Sequence, residues 1–147
     1  GGLTSLLSEE IREKRGLTYC VSYGLSPMGR VGLYSGSLKT KNESAGEALA
    51  AAREVIKKYA EEGPTQQDLD EAKTYLTGSY ALRFSSNAAI ASQLLAIQQQ
   101  DLGIDYVQKR NAKVEAVTLD QVKAQAKRLL HPDRLIVTVV GEPQGLK

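Results

Sequence analysis

Ile11-Arg12-Glu13-Lys14-Arg15-Gly16-Leu17-Thr18-Tyr19 decides the fold, because a helix ends and a strand begins inside it. Upstream, Leu3, Leu6, Leu7 and Ile11 recur at helical spacing, which predicts a first helix from about Thr4 to Lys14. Gly16 suits the left-handed position just past a helix end, where a Cβ would strain the backbone. Downstream, Leu17, Tyr19, Val21, Tyr23 and Leu25 alternate with smaller or more polar residues, as in a half-buried strand. The junction puts Arg12 on the last helical turn and Tyr19 at the mouth of the strand. A long cation and a phenol so placed reach one extended ligand from two directions, which makes them the candidate site.

The pattern continues outward from that junction. A first strand from about Thr18 to Leu25 leads into a turn at Ser26-Pro27-Met28-Gly29-Arg30, and a second strand follows from Val31 to Lys39. Gly29, Gly32 and Gly36 match no phosphate-loop or dinucleotide spacing; they are expected to let another backbone or side chain approach closely. Ala45, Ala48, Leu49, Ala52, Ile56 and Tyr59 line one face of a helix that stops at Gly63-Pro64. Thr65 with Asp68 has the form of a capping box and opens the next helix, with Leu69, Ala72, Leu76 and Tyr80 expected inward. Ser85-Ser86-Asn87 breaks it. A helix bearing Ile90, Leu94 and Ile97 ends near Gly103, and another runs from about Ile104 to Val117. Thr118 with Gln121 caps the last helix, holding Val122, Ala126 and Leu129, before a closing strand Leu135–Val140. Strands and helices in runs, without strict alternation, predict an α+β domain with helices layered on an antiparallel sheet.

Composition narrows the function classes. At 147 residues the chain is one domain, large enough to bury roughly 70% of its unfolded surface. The net charge of +2 is too small to imply nucleic acid, and Lys57, Lys58, Lys123, Lys127 and Arg128 are dispersed over helix faces. Seven Tyr and one Phe show no basic-aromatic interleaving. No apolar stretch approaches the 18 residues of a membrane span. One cysteine, Cys20, excludes an internal disulfide; it reads as a small residue on the strand face opposite the core, or as a thiol beside the site. The single histidine, His131, precedes Pro132 in a loop and reads as a surface or capping residue.

The run from Gly1 to Tyr19 resembles the pitrilysin (insulinase, or processing-peptidase) family of zinc metallopeptidases, and specifically their C-terminal, non-zinc half. Arg12 and Tyr19 meet the family's spacing for an arginine and a tyrosine, with six residues between, and the order of elements down to Gly141 extends the similarity over nearly the whole chain. The resemblance implies a metallopeptidase-half domain and a complete protein with two homologous halves, fused or as separate subunits. The first half carries His-x-x-Glu-His and binds zinc. With one histidine, no such motif can be written here, so the expectation is that residues 1–147 bind no metal and are inactive alone. The chain reads as a single-domain piece of a longer protein, lacking its first strand and its zinc-bearing half.

By position, the resemblance makes Tyr19 a donor to the oxyanion or substrate and Arg12 a substrate clamp, acting on extended or unfolded peptides. The implied partners are a zinc-bearing N-terminal half or partner subunit of the same family, and a peptide. Taken without the resemblance, Arg12 reads first as a cation offsetting the helix dipole beside Lys14 and Arg15, and Tyr19 as a strand residue packing on the core. A non-catalytic scaffold or assembly subunit of the family, or an unrelated α+β binding module, are the competing functions. The Ala- and Gln-rich helices have a bacterial character, and bacterial relatives are often exported, which gives the periplasm as the expected compartment.

Overall fold

The computed structural model describes residues 2–28 and 31–146. Helix α1 (Leu3–Leu7) runs without a break into a wider π-helical segment, Ser8–Lys14. Strands β1 (Cys20–Met28) and β2 (Val31–Lys39) form an antiparallel ribbon, followed by α2 (Ala45–Glu62), α3 (Gln66–Gly78), α4 (Asn87–Gln99), α5 (Tyr106–Glu115) and α6 (Leu119–Leu129). The architecture is α+β, with helices layered on an antiparallel two-stranded sheet. Its register runs from Cys20 opposite Lys39 to Met28 opposite Val31.

Period two puts Val21, Tyr23 and Leu25 on one face of the ribbon, with Leu38 opposite Val21 and Tyr34 opposite Leu25. The proximal part of that face covers the first core cluster, where Leu7, Ile11, Ala51 and Val55 are buried together and Val21, Tyr23 and Leu38 close the side. Small alanines on the inner face of α2 (Ala45, Ala48 and Ala51 are all buried) let its backbone come close. A second cluster joins Ile56 of α2 to Ala126 and Leu130 at the end of α6, with Tyr59 and Leu135 against it. Gly36 faces Tyr23 across the ribbon, and a Cβ there would fall 2.8 Å from the tyrosine ring. The expected close approach is real at this glycine; Gly29 lies outside the described residues.

Helix α3 packs on α5, and α4 packs on the short 3-10 turn Tyr80–Phe84 that joins it to α3. The α3–α5 contact is held by polar bonds: Arg110 donates to the Leu76 carbonyl (2.7 Å), Asn111 to Thr77 (3.4 Å) and Lys73 to Glu115 (2.8 Å). Arg110 also covers the buried Tyr80 ring, 4.4 Å from its centroid. Both capping boxes form as read, Thr65 with Asp68 and Thr118 with Gln121.

Five expectations need correction. The first helix is not uniform, since its second half is π-wound. Strand β1 continues through Ser26, Pro27 and Met28 where a turn was expected; in a two-stranded ribbon every second N–H points away from the partner, so a proline is tolerated. Leu76 is exposed, because α5 meets only one flank of α3. Leu130, not Leu129, is buried at the end of α6, since four-residue steps from Val122 lead through Ala126 to position 130. Residues Leu135–Val140 form no strand. A strand needs a ladder partner, and the only sheet among the described residues is the β1–β2 ribbon, so the segment runs past α6 unpaired.

Candidate functional site

Gly16 stops the first helical run, with φ of +62° in the region that favours glycine. Its N–H donates to the Arg12 carbonyl at 3.1 Å, and the Leu17 N–H donates to Ile11 at 2.9 Å. The first is the ordinary bond of a glycine αL cap, and the second spans one residue more than the corresponding bond of a Schellman cap. The π-winding of Ser8–Lys14 accounts for the extra residue, and such segments frequently mark functional sites.

Three cations crowd this helix end, and the structure sorts them. Lys14 bonds Glu10 at 2.5 Å and Glu9 at 2.9 Å. Those bonds raise the lysine pKa, and the Lys14 bond lowers that of Glu10. Arg15 pairs with Glu54 of α2 at 2.8 Å. Arg12 has neither kind of partner among the described residues; its guanidinium lies over the Tyr19 ring, 5.1 Å from the centroid. An exposed cation–π contact of this kind is worth only about 0.5–1 kcal/mol, so a ligand carbonyl displaces it at little cost.

Tyr19 stands one residue before β1 and is 81% exposed, which disposes of the reading that it packs on the core. Around it, threonines fix the backbone. The Thr18 hydroxyl bridges Cys20 and Lys39, Thr40 donates to the Leu17 carbonyl at 2.6 Å, and Thr4 bonds both the N–H and the carbonyl of Tyr23. None of these threonines was picked out from sequence. Each carries a hydroxyl on a β-branched side chain, but their partners are more than fifteen residues away in most cases.

The other candidates lie elsewhere. Cys20 is an exposed thiol on the ribbon face opposite Tyr23, the side it shares with Ser22. His131 is exposed, its Nε2 3.0 Å from the Arg128 carbonyl, just ahead of the Pro132–Arg134 turn. No three His, Cys, Asp or Glu side chains come together as metal ligands among the described residues. No helix among them is long and apolar enough to cross a membrane. An open groove between α1, the ribbon, α2 and α6 is lined by Thr4, Tyr23, Tyr34, Tyr59 and Gln125, and shares no residue with the Arg12–Tyr19 pair. Partial burial there raises the pKa of Tyr23 and Tyr59.

Comparison with known proteins gives the family. The model of the peptidase M16 inactive domain matches residues 1–76, the half of the chain that carries Arg12 and Tyr19. A non-peptidase homolog of Helicobacter pylori, YmxG, is 41% identical over 95 residues, covering 64% of this chain and 21% of its own length. An uncharacterized zinc protease of Streptomyces coelicolor is 30% identical over 136 residues, covering 88% of this chain and 28% of its own length. The chain therefore spans less than a third of either relative. Among solved structures, the peptidase M16 inactive domain from Pseudomonas fluorescens superposes with a TM-score of 0.79 at 37% identity, over 91% of this chain and 32% of that one. The periplasmic protease PqqL from Escherichia coli shares the fold, with a TM-score of 0.74 at 23% identity over 88% of this chain and 15% of that one. Fold, junction and family model agree, and the chain belongs to the M16 peptidase family, as its inactive domain.

Proposed function

We propose that these residues form the substrate-gripping domain of a zinc-dependent metalloendopeptidase acting on extended or unfolded peptides. The observation that carries this reading is the selective placement of Arg12. Of three cations at one helix end it alone is left out of an ion pair among the described residues, and it lies against the exposed phenol of Tyr19. That pairing is also the evidence against a mere helix-dipole role, which Lys14 and Arg15 fill already.

The chemistry of the two side chains follows from their donors. Tyr19 Oη–H donates to the oxygen of the scissile carbonyl, on which negative charge grows as the carbon becomes tetrahedral. Arg12 offers five N–H donors in a fixed fork and holds flanking substrate carbonyls in register. An extended peptide presents free carbonyls to such donors, whereas a folded protein has already paired them. With one histidine in the sequence and no ligand cluster among the described residues, the site does not fit zinc, and no step assigned to this chain runs through a metal. The metal belongs to a zinc-bearing N-terminal half or a partner subunit. The bacterial relatives support a bacterial protein; we extend the reading to the periplasm, which cell fractionation tests.

Tyr19→Phe in the complete protein tests the role directly. Loss of one oxyanion donor lowers kcat on an unfolded protein substrate by about 10²–10³-fold, with the melting temperature unchanged. Activity within about twofold of the unsubstituted protein would sink it. A second reading, a non-catalytic scaffold subunit, is favoured by the name of the Helicobacter pylori relative. On that reading the complete protein binds extended peptides and cleaves none.

A further inference from the structure

We infer that Thr18 is the positioning residue for Tyr19, an inference that rests on the Arg12–Tyr19 reading above. Thr18 is the one polar residue in the buried set among the described residues, at 7% exposure, and its neighbour Tyr19 is among the most exposed aromatics. The contrast matters because the Tyr19 side chain has no hydrogen-bond partner among the described residues, and the residue is 81% exposed with the Arg12 guanidinium over its ring. A side chain with so little packing takes its direction from its Cα–Cβ bond, and so from the backbone on either side.

Thr18 fixes that backbone on the strand side. Its Oγ1 lies 2.6 Å from the Lys39 carbonyl and 2.7 Å from the Cys20 carbonyl, and accepts the Cys20 N–H at 3.2 Å. Cys20 and Lys39 are themselves register partners, so one hydroxyl caps the last rung of the ribbon and ties down the residue after Tyr19. A hydroxyl has one proton, shared here between two carbonyls, and lone pairs free for the amide. On the helix side, Leu17 is held through its N–H by Ile11 and through its carbonyl by Thr40. The phenol thus projects from a short backbone span clamped at both ends, and Thr18 is the buried clamp immediately before it in the chain. Threonine suits the place because its β-branch restricts χ1 and so holds the hydroxyl toward the rung.

A merely structural Thr18 and a positioning Thr18 separate in a double-mutant cycle. The complete protein is prepared as Thr18→Val, Thr18→Ser, Tyr19→Phe and the T18V/Y19F double variant. Each is assayed for cleavage of reduced, carboxymethylated lactalbumin, for its Kd toward that unfolded chain by calorimetry, and for its melting temperature. T18V, which keeps the shape and loses the hydroxyl, should lower kcat, or weaken Kd if the protein binds without cleaving, by about 10-fold or more. T18S should restore the function to within about threefold, and T18V should change it less than twofold in the Y19F background. Equal loss from T18V with and without the Tyr19 hydroxyl overturns the positioning role while leaving the site reading intact. So does a loss that T18S fails to rescue. A silent Y19F in both assays overturns the site reading, and this inference with it. If T18V does not fold, Thr18→Cys keeps a buried γ atom with weaker hydrogen bonding and enters the same cycle.

Discussion

Gly46→Ala sets two familiar effects against each other, and the structure decides which prevails. Gly46 is the second residue of α2, and at an ordinary helix position the change to alanine stabilises by about 0.8–1 kcal/mol. Here the new Cβ would sit 2.1 Å from the Gly145 carbonyl oxygen and 2.5 Å from its carbon. Both are backbone atoms, so no side chain can swing aside and the C-terminal segment must leave. That segment is bound by the Gly46 N–H to the Gln144 carbonyl at 3.0 Å and by the Gln144 N–H to Asn42 at 2.8 Å. At about 1 kcal/mol net each, their loss costs about 2 kcal/mol and outweighs the helix gain by about 1. An unfolding entropy of about 2.1 cal/mol/K per residue gives roughly 0.3 kcal/mol per degree for this chain, so the melting temperature should fall by about 3 °C. Amide exchange followed by NMR gives the sharper reading. The Gln144 amide should lose at least about tenfold protection while the amides of β1 and β2 keep theirs. An alanine variant about 1 kcal/mol more stable, with Gln144 still protected, would show that the segment does not rest on α2 as described.

Two further outcomes follow from the core and the caps. Ile11 is fully buried, and Ile11→Ala removes three carbons worth about 0.8 kcal/mol each and adds a cavity term, some 3–4 kcal/mol in all. A thermal melt should drop by about 10 °C, against about 3 °C for Ile11→Val, and a drop below about 4 °C for the alanine variant would contradict the packing. Thr65→Ala removes the hydroxyl that accepts the Asp68 N–H at 3.1 Å and donates to its carboxylate at 2.6 Å, at a cost of about 1 kcal/mol. That hydroxyl bond to the carboxylate, together with the one from the Thr65 N–H, holds the Asp68 pKa below its ordinary value. The contribution of that carboxylate is therefore complete above the unfolded pKa of about 3.9 and lost as pH falls through the lower folded value. The difference in stability between the parent and T65A should accordingly shrink on acidification below about pH 4, as denaturant titration at each pH would show.

Features with a local cause were legible in the sequence. The two capping boxes, the stop at Gly63-Pro64 and the span of β2 depend on residues a few positions apart, and they formed where they were read. So did the junction that brings Arg12 on the last helical turn to Tyr19. What was not legible depends on partners distant in the chain. Seven residues are too few for hydrophobic spacing to separate π-winding from α-winding, so the cap geometry below Arg12 was hidden. Thr18 looks like any strand-edge threonine until the Lys39 carbonyl is set beside it. Leu135–Val140 has every compositional mark of a strand, yet a strand is a relation between two segments and cannot be read from one.

The solvent-borne run of Leu135–Val140 has a consequence for anyone handling these residues in isolation. It contains no proline, glycine or charge, and Ile136 and Val140 are 97% and 95% exposed. Such six-residue stretches are the raw material of steric zippers, in which copies from many molecules stack into dry, interlocked sheets. Asp133, Arg134 and Glu142 flank it as charged gatekeepers. The working concentration of the isolated domain is therefore set less by how firmly Ile11 and Leu7 are packed than by how often two of these segments meet. A single lysine in place of Ile136, where the folded state loses no packing, is the remedy that chemistry suggests.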